Sequence, residues 1–443
     1  MPSALALSIQ EESEMGQEFL AQLREQFEFV DDEFANQYIN RLGNYLIKPL
    51  KIKYFPFHFY IIKDDSLNAF AAPGGHIFFF SGLIEVMESV DELAAVLCHE
   101  LGHVASRHLS KRIDQSKKIG LATLAGILAG LFIGGEAAGA LITGAMAAGI
   151  QAQLHYSRED ERQADQLSFI YMKPGSFDPK GMITALQKIQ KGSWLGGSEK
   201  IPAYLLTHPT GPERMANLDA MLSNYTPGPP TEEAAGFRAL FPVFKTVITG
   251  KCLDPDDAEM IFNKELKRDP GSFLPHFGLG MAYMEASKYE RAISELKIAV
   301  KGNPGFVPIL RTLGEAYQMN GQDNEALIAL KRALKLDRGD KATLYLLGIT
   351  YENSGRYKRA LPFFEKLAAL RPVRVDVYYH LGISYGRENR LGLAHYNFGI
   401  YFKKKGQLNK AKFHFQKAKD LSGNNTALKK KILKETEGIK RKE

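Results

Sequence analysis

A 34-residue period in the second half of the chain constrains its fold more than any other feature. Each copy has a glycine, a tyrosine three residues later and an alanine nine residues after that. The aligned positions are Gly280, Gly314, Gly348 and Gly382; Tyr283, Tyr317, Tyr351 and Tyr385; and Ala292, Ala326, Ala360 and Ala394. A period of this length indicates stacked helical units that bury their apolar faces against their neighbours. Glycine and alanine are expected where paired helices cross, with aromatic rings filling the gaps.

The order of these positions is that of tetratricopeptide (TPR) repeats. The pattern then continues at Gly399, 17 residues after Gly382, with Ala411, Phe415 and Ala418 following. This half-repeat offset predicts a helix near residues 395–402 that belongs to two repeats at once. We therefore predict an all-α TPR solenoid of about four and a half repeats over residues 255–421. Its concave surface would bind protein or peptide partners.

The first half of the chain contains an HExxH pentapeptide, HELGH at residues 99–103, in a segment that indicates helix from about Asp91 to Arg112. Histidines four apart on a helix differ by about 40° around its axis, so His99 and His103 can reach one metal ion. Glu100 lies beside them and could take a proton from an attacking water. Because the pentapeptide also recurs by chance, the choice depends on a third ligand.

Catalytic zinc sites usually take three protein ligands and leave one position open. The metzincin pattern is excluded, because it requires glycine and histidine where this chain has Ser106 and Leu109. His108 lies about 500° around the helix from His103, off the metal face, and is interpreted as a surface or capping histidine. Glu161 is the better candidate, since Asp165 on the same helical face could accept a hydrogen bond from a ligand imidazole. The alternative is that residues 157–162 form only a solvated, charged first turn with a serine N-cap.

Three motifs together carry a resemblance: HELGH, the step from Ser157-Arg158 to Ala164-Asp165, and Thr207-His208-Pro209 followed by Arg214. They resemble the CAAX prenyl protease/HtpX-type family of gluzincin metallopeptidases, especially its soluble bacterial BepA-type members with TPR domains. The resemblance covers nearly the whole chain. It implies Glu161 as the third zinc ligand, Asp165 and Arg214 as residues that support the ligands, and His208 above the zinc. His208 would ligate the metal reversibly or steady the tetrahedral intermediate. Gln163 stands where many relatives have glutamate, which leaves this assignment intact.

Two short segments, 57–62 and 75–80, are aromatic and β-branched and are bounded by turn residues, which predicts strands. In zincins an edge strand beside the zinc helix binds an extended substrate, and 75–80 is the predicted edge strand. Gly75 and Ile77 are therefore candidate substrate-binding residues, and so is Asn68 in segment 68–75, which resembles the family's segment before its active-site helix. His76 is expected to be a strand residue near the cleft. The predicted fold is an α+β zincin-like protease domain, mostly helical with a small sheet, followed by the solenoid.

Residues 119–150 are almost entirely Gly, Ala, Leu and Ile, in two arms of about 15 residues each, whereas a bilayer span needs about 20. Three interpretations remain open: a hairpin packed on the protease domain, a hairpin dipping into a membrane, or a flap over the cleft. We favour a hairpin over residues 118–154 that contacts a membrane or a partner. The N-terminus lacks the features of a signal peptide, which predicts a cytoplasmic protein. The resemblance instead implies the periplasm or cell envelope of a bacterium.

The length of 443 residues predicts more than one domain, and 45% hydrophobic with 24% charged residues is ordinary for a soluble protein. We predict a protease domain at 1–224, a linker at 225–254, the TPR domain and a basic tail at 422–443. Residues 403–443 carry a net charge of +10, within a total of +7. A solvated helix explains this better than lipid or nucleic-acid binding. Cys98 and Cys252 fit no metal or redox spacing.

The predicted function is a zinc-dependent endopeptidase with one Zn²⁺ per chain. His99, His103 and Glu161 would hold the metal, Glu100 would act as the base, and His208 would stabilise the oxyanion. The TPR array would recruit protein substrates, and the resemblance implies quality control of envelope proteins. The alternative is a TPR chaperone or assembly scaffold with a latent or vestigial zinc site. No nucleic-acid partner is predicted.

Overall fold

The computed structural model describes residues 8–50, 53–115, 156–195, 202–223, 225–226, 228–370 and 373–440. The chain divides into two compact units, Met1–Ala258 and Glu259–Glu443. The predicted hairpin at 118–154 lies outside the described residues. Among the helices that the structure describes, none combines the length and apolar character that a bilayer span requires.

The first unit is mostly helical and contains a small sheet, which confirms the predicted fold class. Its helices are α1 (Ile9–Gln26), α2 (Glu33–Leu46), α3 (Ser81–Val86), α4 (Val90–Ala105), α5 (His108–Gln115), α6 (Arg158–Met172), α7 (Gly181–Leu195), α8 (Ala203–Thr207), α9 (Pro212–Leu222) and α10 (Glu232–Cys252). Its strands are β1 (His58–Ile62), β2 (Ala69–Ala72) and β3 (His76–Phe80). Helix α11 (Pro255–Arg268) contains the boundary between the units.

The sheet has the order β1-β3-β2, with β1 parallel and β2 antiparallel to β3. The prediction that residues 75–80 form an edge strand is therefore wrong, because β3 is paired on both sides. Ile77 is buried in this central strand, and Gly75 lies in the turn before it with φ +85°. A Cβ on Gly75 would lie 2.5 Å from the Pro56 carbonyl oxygen, so this glycine permits a close backbone approach. The sequence did not predict β2, because three of its four residues are alanine, which is depleted in strands.

Aromatic packing against one face of this sheet holds the N-terminal helix. The Phe19 ring of α1 meets Phe70 and Phe78 edge-on, with 6.0 Å between centroids in each pair. A capping box at Ser8 and Glu11 satisfies the first free amides of the helix. Helix α1 therefore begins at a defined residue and is fixed to the sheet by buried rings.

The single helix predicted from Asp91 to Arg112 is two helices. Helix α4 ends at Ala105, and Arg107 adopts the left-handed conformation with φ 53° before α5 begins at His108. Helical spacing therefore does not extend past Ala105. The directions of side chains after this interruption cannot be obtained from the periodicity of the sequence.

The segment predicted as a linker contains a packed helix of the first unit. Residues 232–252 form α10, whose Phe244 ring stacks on Tyr38 of α2 at 4.4 Å. The Tyr38 hydroxyl donates to the Phe237 carbonyl at 2.9 Å. Apolar burial holds this helix, although the Pro/Gly-rich stretch before it indicated a flexible connection. The other predicted domain boundaries remain predictions.

The second unit is an all-α array of paired helices, as predicted. Its helices are α12 (Phe273–Glu285), α13 (Tyr289–Gly302), α14 (Val307–Met319), α15 (Asp323–Leu336), α16 (Lys341–Asn353), α17 (Tyr357–Ala369), α18 (Asp376–Arg387), α19 (Leu391–Lys404), α20 (Leu408–Asp420) and α21 (Thr426–Lys440). Part of the predicted basic tail is thus helix α21, which buries Leu428 and Ile432.

The periodic glycines lie where the two helices of each pair touch. A Cβ on any of them would come within 2.5–2.6 Å of the side chain 16 residues later: Leu296, Leu330, Phe364 and Phe398 for Gly280, Gly314, Gly348 and Gly382. Gly399 on α19 has the same relation to Phe415 on α20, again at 2.6 Å. Helix α19 therefore pairs with α18 and with α20, as the half-repeat offset predicted.

Substituting Gly314 by alanine should destabilise the helix pair α14–α15. The added Cβ would lie 2.5 Å from Cγ of Leu330, and overpacking of this kind costs about 1–3 kcal/mol. Gly305→Ala is the control, since no heavy atom lies within 4 Å of its Cβ position, and it should change stability by less than about 0.5 kcal/mol. Native-state hydrogen exchange of α14 and α15 in the full chain measures both changes. Equal protection in the two variants would contradict this account of the period.

Candidate metal centre

Four buried side chains converge in the first unit: His99 and His103 on α4, Glu161 on α6, and His208 at the end of α8. One ligand atom from each lies within 4.8 Å of all the others. Nε2 of His99 is 3.0 Å from Nε2 of His103 and 3.4 Å from Nδ1 of His208. Glu161 oxygens lie 3.4 Å from His103 Nε2 and 3.0 Å from His208 Nδ1. Bonds of about 2.0–2.1 Å in tetrahedral geometry separate ligand atoms by roughly 3.3 Å, so this spacing suits one such ion.

A close crossing of α4 and α6 brings Glu161 to the histidines. A Cβ on Gly102 would lie 3.0 Å from both Cα and the carbonyl oxygen of Ala164. Only glycine lets the two backbones approach this closely without a shift of the helices. The Ser157 N-cap, which accepts from the amide of Asp160, fixes the start of α6 one turn before Glu161. The serine cap that the sequence also suggested therefore coexists with the ligand position.

Asp165 contacts one of the converging imidazoles, that of His99. Nδ1 of His99 lies 2.8 Å from Oδ1 of Asp165, which leaves Nε2 directed at the other ligand atoms. Arg214 donates to both oxygens of Asp165, at 2.9 and 2.8 Å, and its Nη1 lies 2.5 Å from Glu161. Burial alone would lower the pKa of His99, but Glu161 and Asp165 outweigh it and raise that pKa to about 9. The cluster thus favours a positive charge at this point.

Glu100 has the environment expected of a functional carboxylate. It is fully buried, and within the described part of the chain neither of its oxygens has a hydrogen-bond partner. Burial raises its pKa. Its Oε1 faces Nε2 of His208 at 3.5 Å. A buried carboxylate without partners is costly unless it serves a water, a substrate or an ion.

Two tyrosines that sequence reasoning missed hold the His208 ring. Tyr204 stacks on it at 4.5 Å between centroids, and Tyr156 lies 5.0 Å from it and 3.8 Å from the His103 ring. Tyr204 comes four residues before His208, so one helical turn of α8 aligns the two rings. This aromatic residue one turn before the histidine was the available signal. Tyr156 directly precedes the Ser157 cap, and its position in the sequence has no helical spacing to His103 or His208 that could have indicated the contact.

The prediction that His108 is a surface or capping residue is wrong. His108 is 1% exposed, and its Nδ1 lies 3.1 Å from Nδ1 of His103. Its Nε2 lies 2.8 Å from Oε1 of Gln163. The helical rotation used for the prediction does not apply, because the helix is interrupted at Arg107.

The donor set fits a divalent cation. With the imidazoles neutral, as metal binding requires, ionised Glu100, Glu161 and Asp165 with the guanidinium of Arg214 would leave two negative charges in a buried site. Imidazole nitrogens with one carboxylate are borderline donors that suit zinc and neighbouring transition metals. The cluster can therefore hold a metal ion with Glu100 beside it.

Comparison with known proteins agrees with this geometry. Residues 33–222 match the model of peptidase family M48, and residues 283–349, 343–374 and 392–425 match models of the tetratricopeptide repeat. The chain contains a peptidase family M48 domain followed by TPR repeats. The M48 domain includes all four converging side chains and Glu100, and TPR repeats are protein-interaction modules.

Relatives include a beta-barrel assembly-enhancing protease of Yersinia pestis, 29% identical over 68% of this chain and 61% of that protein. The matched part therefore spans about three fifths of this relative's length. A mitochondrial metalloendopeptidase of Schizosaccharomyces pombe is 26% identical over 42% of this chain and 52% of its own length. A crystal structure of MamA is 25% identical over 39% of this chain and 92% of that chain, with a TM-score of 0.26.

The structure separates the predicted substrate-binding residues from one another. Asn68 is fully buried and directly precedes β2, and its carbonyl accepts from the amide of Phe80 at 3.0 Å. Gly75 and Ile77 belong to the turn and to the central strand, where no backbone edge is free. Of these three residues, only Asn68 directly precedes an edge strand, β2.

Replacing Gly102 by alanine should weaken metal binding without unfolding the M48 domain. The new Cβ must push α4 and α6 apart, which moves Glu161 away from the histidines, and zinc affinity should fall about tenfold or more. Gly236→Ala, on α10 with open space around its Cβ position, is the matched control and should bind zinc like the wild type. Competition with a chromophoric chelator measures the affinity, and circular dichroism measures folding. Unchanged affinity in Gly102→Ala would contradict the proposed role of this crossing.

Proposed function

We propose that the chain is a zinc-dependent endopeptidase that cleaves protein substrates recruited by its TPR repeats. The observation that carries the proposal is the buried Glu100 beside four converging ligand groups, with no hydrogen-bond partner for either carboxylate oxygen among the described residues. A purely structural metal site has no use for such a base, and structural zinc sites are usually rich in cysteine. We propose His99, His103 and Glu161 as the ligands of one zinc ion per chain.

The proposed mechanism assigns a separate task to each side chain. Zinc, when bound, would polarise the substrate carbonyl and lower the pKa of a water molecule. Glu100 takes the proton of the attacking water and delivers it to the leaving amine. Asp165 keeps the Nδ1 proton of His99 in place, and Arg214 holds Asp165 and Glu161 in register. Exclusion of water by the buried site strengthens each of these interactions.

We propose that His208 exchanges between two roles, that of a metal ligand and that of a hydrogen-bond donor to the substrate. Its Nδ1 lies among the ligand atoms and its Nε2 faces Glu100. Bound through Nδ1, it would close the fourth position and make the resting enzyme latent. Displaced by substrate, it would stabilise the oxyanion as a hydrogen-bond donor.

We propose that an extended substrate pairs with β2 rather than with β3. The Asn68–Phe80 hydrogen bond sets the register, so the amides and carbonyls of Ala69 and Ala71 point away from β3. No other described strand covers this edge. Pairing there would place a substrate beside α4, against which β2 packs.

The proposed recruiting surface is a groove in the second unit with a volume of about 1030 Å³. Tyr378, Tyr385, Tyr396 and Leu393 line it, together with Lys404 and Lys431. Its aromatic floor and exposed ammonium groups suit a protein segment that carries apolar side chains and carboxylates. The bacterial relatives are named for β-barrel assembly, and we propose incompletely assembled envelope β-barrel proteins as substrates in the periplasm.

The second candidate is a TPR scaffold with a latent or vestigial zinc site. The same groove favours it, because a groove can hold a client protein without any cleavage. The two candidates differ only in whether Glu100 is used.

Glu100→Gln should abolish cleavage while zinc stays bound. The amide cannot accept the proton of the attacking water, so cleavage of an unfolded protein should fall about 10²–10⁴-fold. Zinc content should match the wild type, because Glu100 is outside the proposed ligand set. Glu88→Gln, an exposed glutamate just before α4, is the isosteric control and should cleave normally. Full cleavage by a zinc-loaded Glu100→Gln variant would refute the mechanism, and no cleavage of a broad panel by the wild type would favour the scaffold.

Charge reversal in the groove should weaken recruitment but leave the chemistry intact. The double variant Lys404→Glu/Lys431→Glu should raise KM for an acidic protein substrate by about 2- to 30-fold, from 0.2–1 kcal/mol per lost ion pair. Cleavage of a short peptide that bypasses the groove should not change. Lys405→Glu/Lys430→Glu alters the neighbouring lysines by the same charge outside the groove and is the control. Equal KM values for the two double variants would argue against this surface.

A further inference from the structure

His108 is directed back into the metal centre by the turn that follows α4. Arg107 adopts φ 53°, which lets α5 begin in a new direction at His108. The Arg107 guanidinium is held by Glu12 of α1, with Nε and Nη2 donating to the same carboxylate oxygen at 2.9 and 2.7 Å. Glu12 is itself buried. The ion pair therefore fixes the turn, and the turn fixes the histidine.

The His108 ring bridges the two helices that supply the proposed ligands. On one side its Nδ1 lies 3.1 Å from Nδ1 of His103 on α4. On the other side its Nε2 lies 2.8 Å from Oε1 of Gln163, two residues after Glu161 on α6. Asp160 is a more distant neighbour, with Oδ1 3.6 Å from His108 Nε2 while Oδ2 accepts from the Ser157 cap.

The donor and acceptor in each of these contacts follow from the role of His103. His103 presents Nε2 to the other ligand atoms, so its proton must be on Nδ1 if it is to bind a metal. Nδ1 of His108 must then accept that N–H, which places the His108 proton on Nε2. The Gln163 carbonyl oxygen is an acceptor and takes this second N–H. Each contact thus fixes the proton position of the next ring.

We propose that His108 and Gln163 are positioning residues that form a hydrogen-bond relay, which holds His103 in its metal-binding tautomer. The relay rests on the proposed metal centre and is independent of peptidase activity. It performs for His103 the task that Asp165 performs for His99, but with neutral groups. The second ligand histidine is therefore oriented without adding a further negative charge to a site that already holds three buried carboxylates.

The test compares zinc affinity and the visible absorption of the cobalt-loaded protein among variants of the full chain. His108→Leu keeps bulk but removes the acceptor, and zinc affinity should fall about 10–100-fold with an altered cobalt spectrum. Gln163→Leu should cause a smaller loss in the same direction. His108→Asn should recover most of the affinity, because its Oδ1 can accept from His103. Circular dichroism and thermal unfolding verify that each variant folds.

A double-mutant cycle separates a relay from independent packing effects. If Gln163 acts only through His108, the double variant His108→Leu/Gln163→Leu should bind zinc within about twofold of His108→Leu alone. Losses that multiply, or equal losses in His108→Asn and His108→Leu, would overturn the relay. Wild-type affinity in His108→Leu would do the same while the proposed metal centre stands. Failure of the wild type to bind zinc would overturn the metal centre and the relay together.

Discussion

The rest of the metal centre depends on the contact between α4 and α6 at Gly102 and Ala164. One helix supplies two imidazoles and a carboxylate, and the other supplies the third proposed ligand and the aspartate behind the first imidazole. These groups can meet only if the helix axes come closer than an ordinary side chain at position 102 allows. The glycine inside the HELGH pentapeptide therefore permits the close helix packing that brings the proposed ligands together. The pentapeptide encodes the helix crossing as well as the ligands.

Burial gives this crossing an electrostatic cost, which the surrounding groups offset in part. Glu161 and Asp165 are buried together, and Arg214 is the guanidinium that contacts both. Burial opposes their ionisation, but His208 and Arg214 keep the pKa of Glu161 well below its usual value. Glu100 receives less compensation, and its pKa is raised. A divalent cation would supply the missing positive charge, which would couple metal binding to the stability of this part of the fold.

Much of the architecture followed from spacing in the sequence. Histidines four apart and an ExxxD step on a second helix place His99, His103, Glu161 and Asp165 as the structure has them, since each pair lies within one uninterrupted helix. The 34-residue period located the glycines of the TPR helices, because the same close contact recurs in every pair. His108 was misplaced for the opposite reason. A single left-handed residue, Arg107, ended the helix whose periodicity was being extended.

Sheet order and ring stacking lay beyond the sequence for a different reason. Three of the four residues of β2 are alanine, so this segment gave no strand signal, and without it β3 was predicted to be an edge strand. The ring partners of Tyr156, His103 and His208, come from other elements, so no local pattern could reveal them, whereas Tyr204 lies one helical turn before His208. Contacts between elements distant in sequence depend on the tertiary packing of those elements. Local periodicity contains no information on that packing.

The three converging imidazoles are held in different ways, and the difference matches their proposed tasks. His99 and His103 are each fixed by a hydrogen-bonding contact at Nδ1, from Asp165 and His108. His208 has its Nδ1 3.0 Å from Oε1 of Glu161, among the other ligand atoms, and tyrosine rings pack against its imidazole, but its Nε2 has no hydrogen-bond partner within the described residues. Stacking restrains the plane of a ring but permits movement within that plane, whereas a short hydrogen bond fixes a single atom. The nitrogen on the side away from the proposed metal is thus held by a hydrogen-bonding contact in His99 and His103 but not in His208, which suits the proposed exchangeable fourth position.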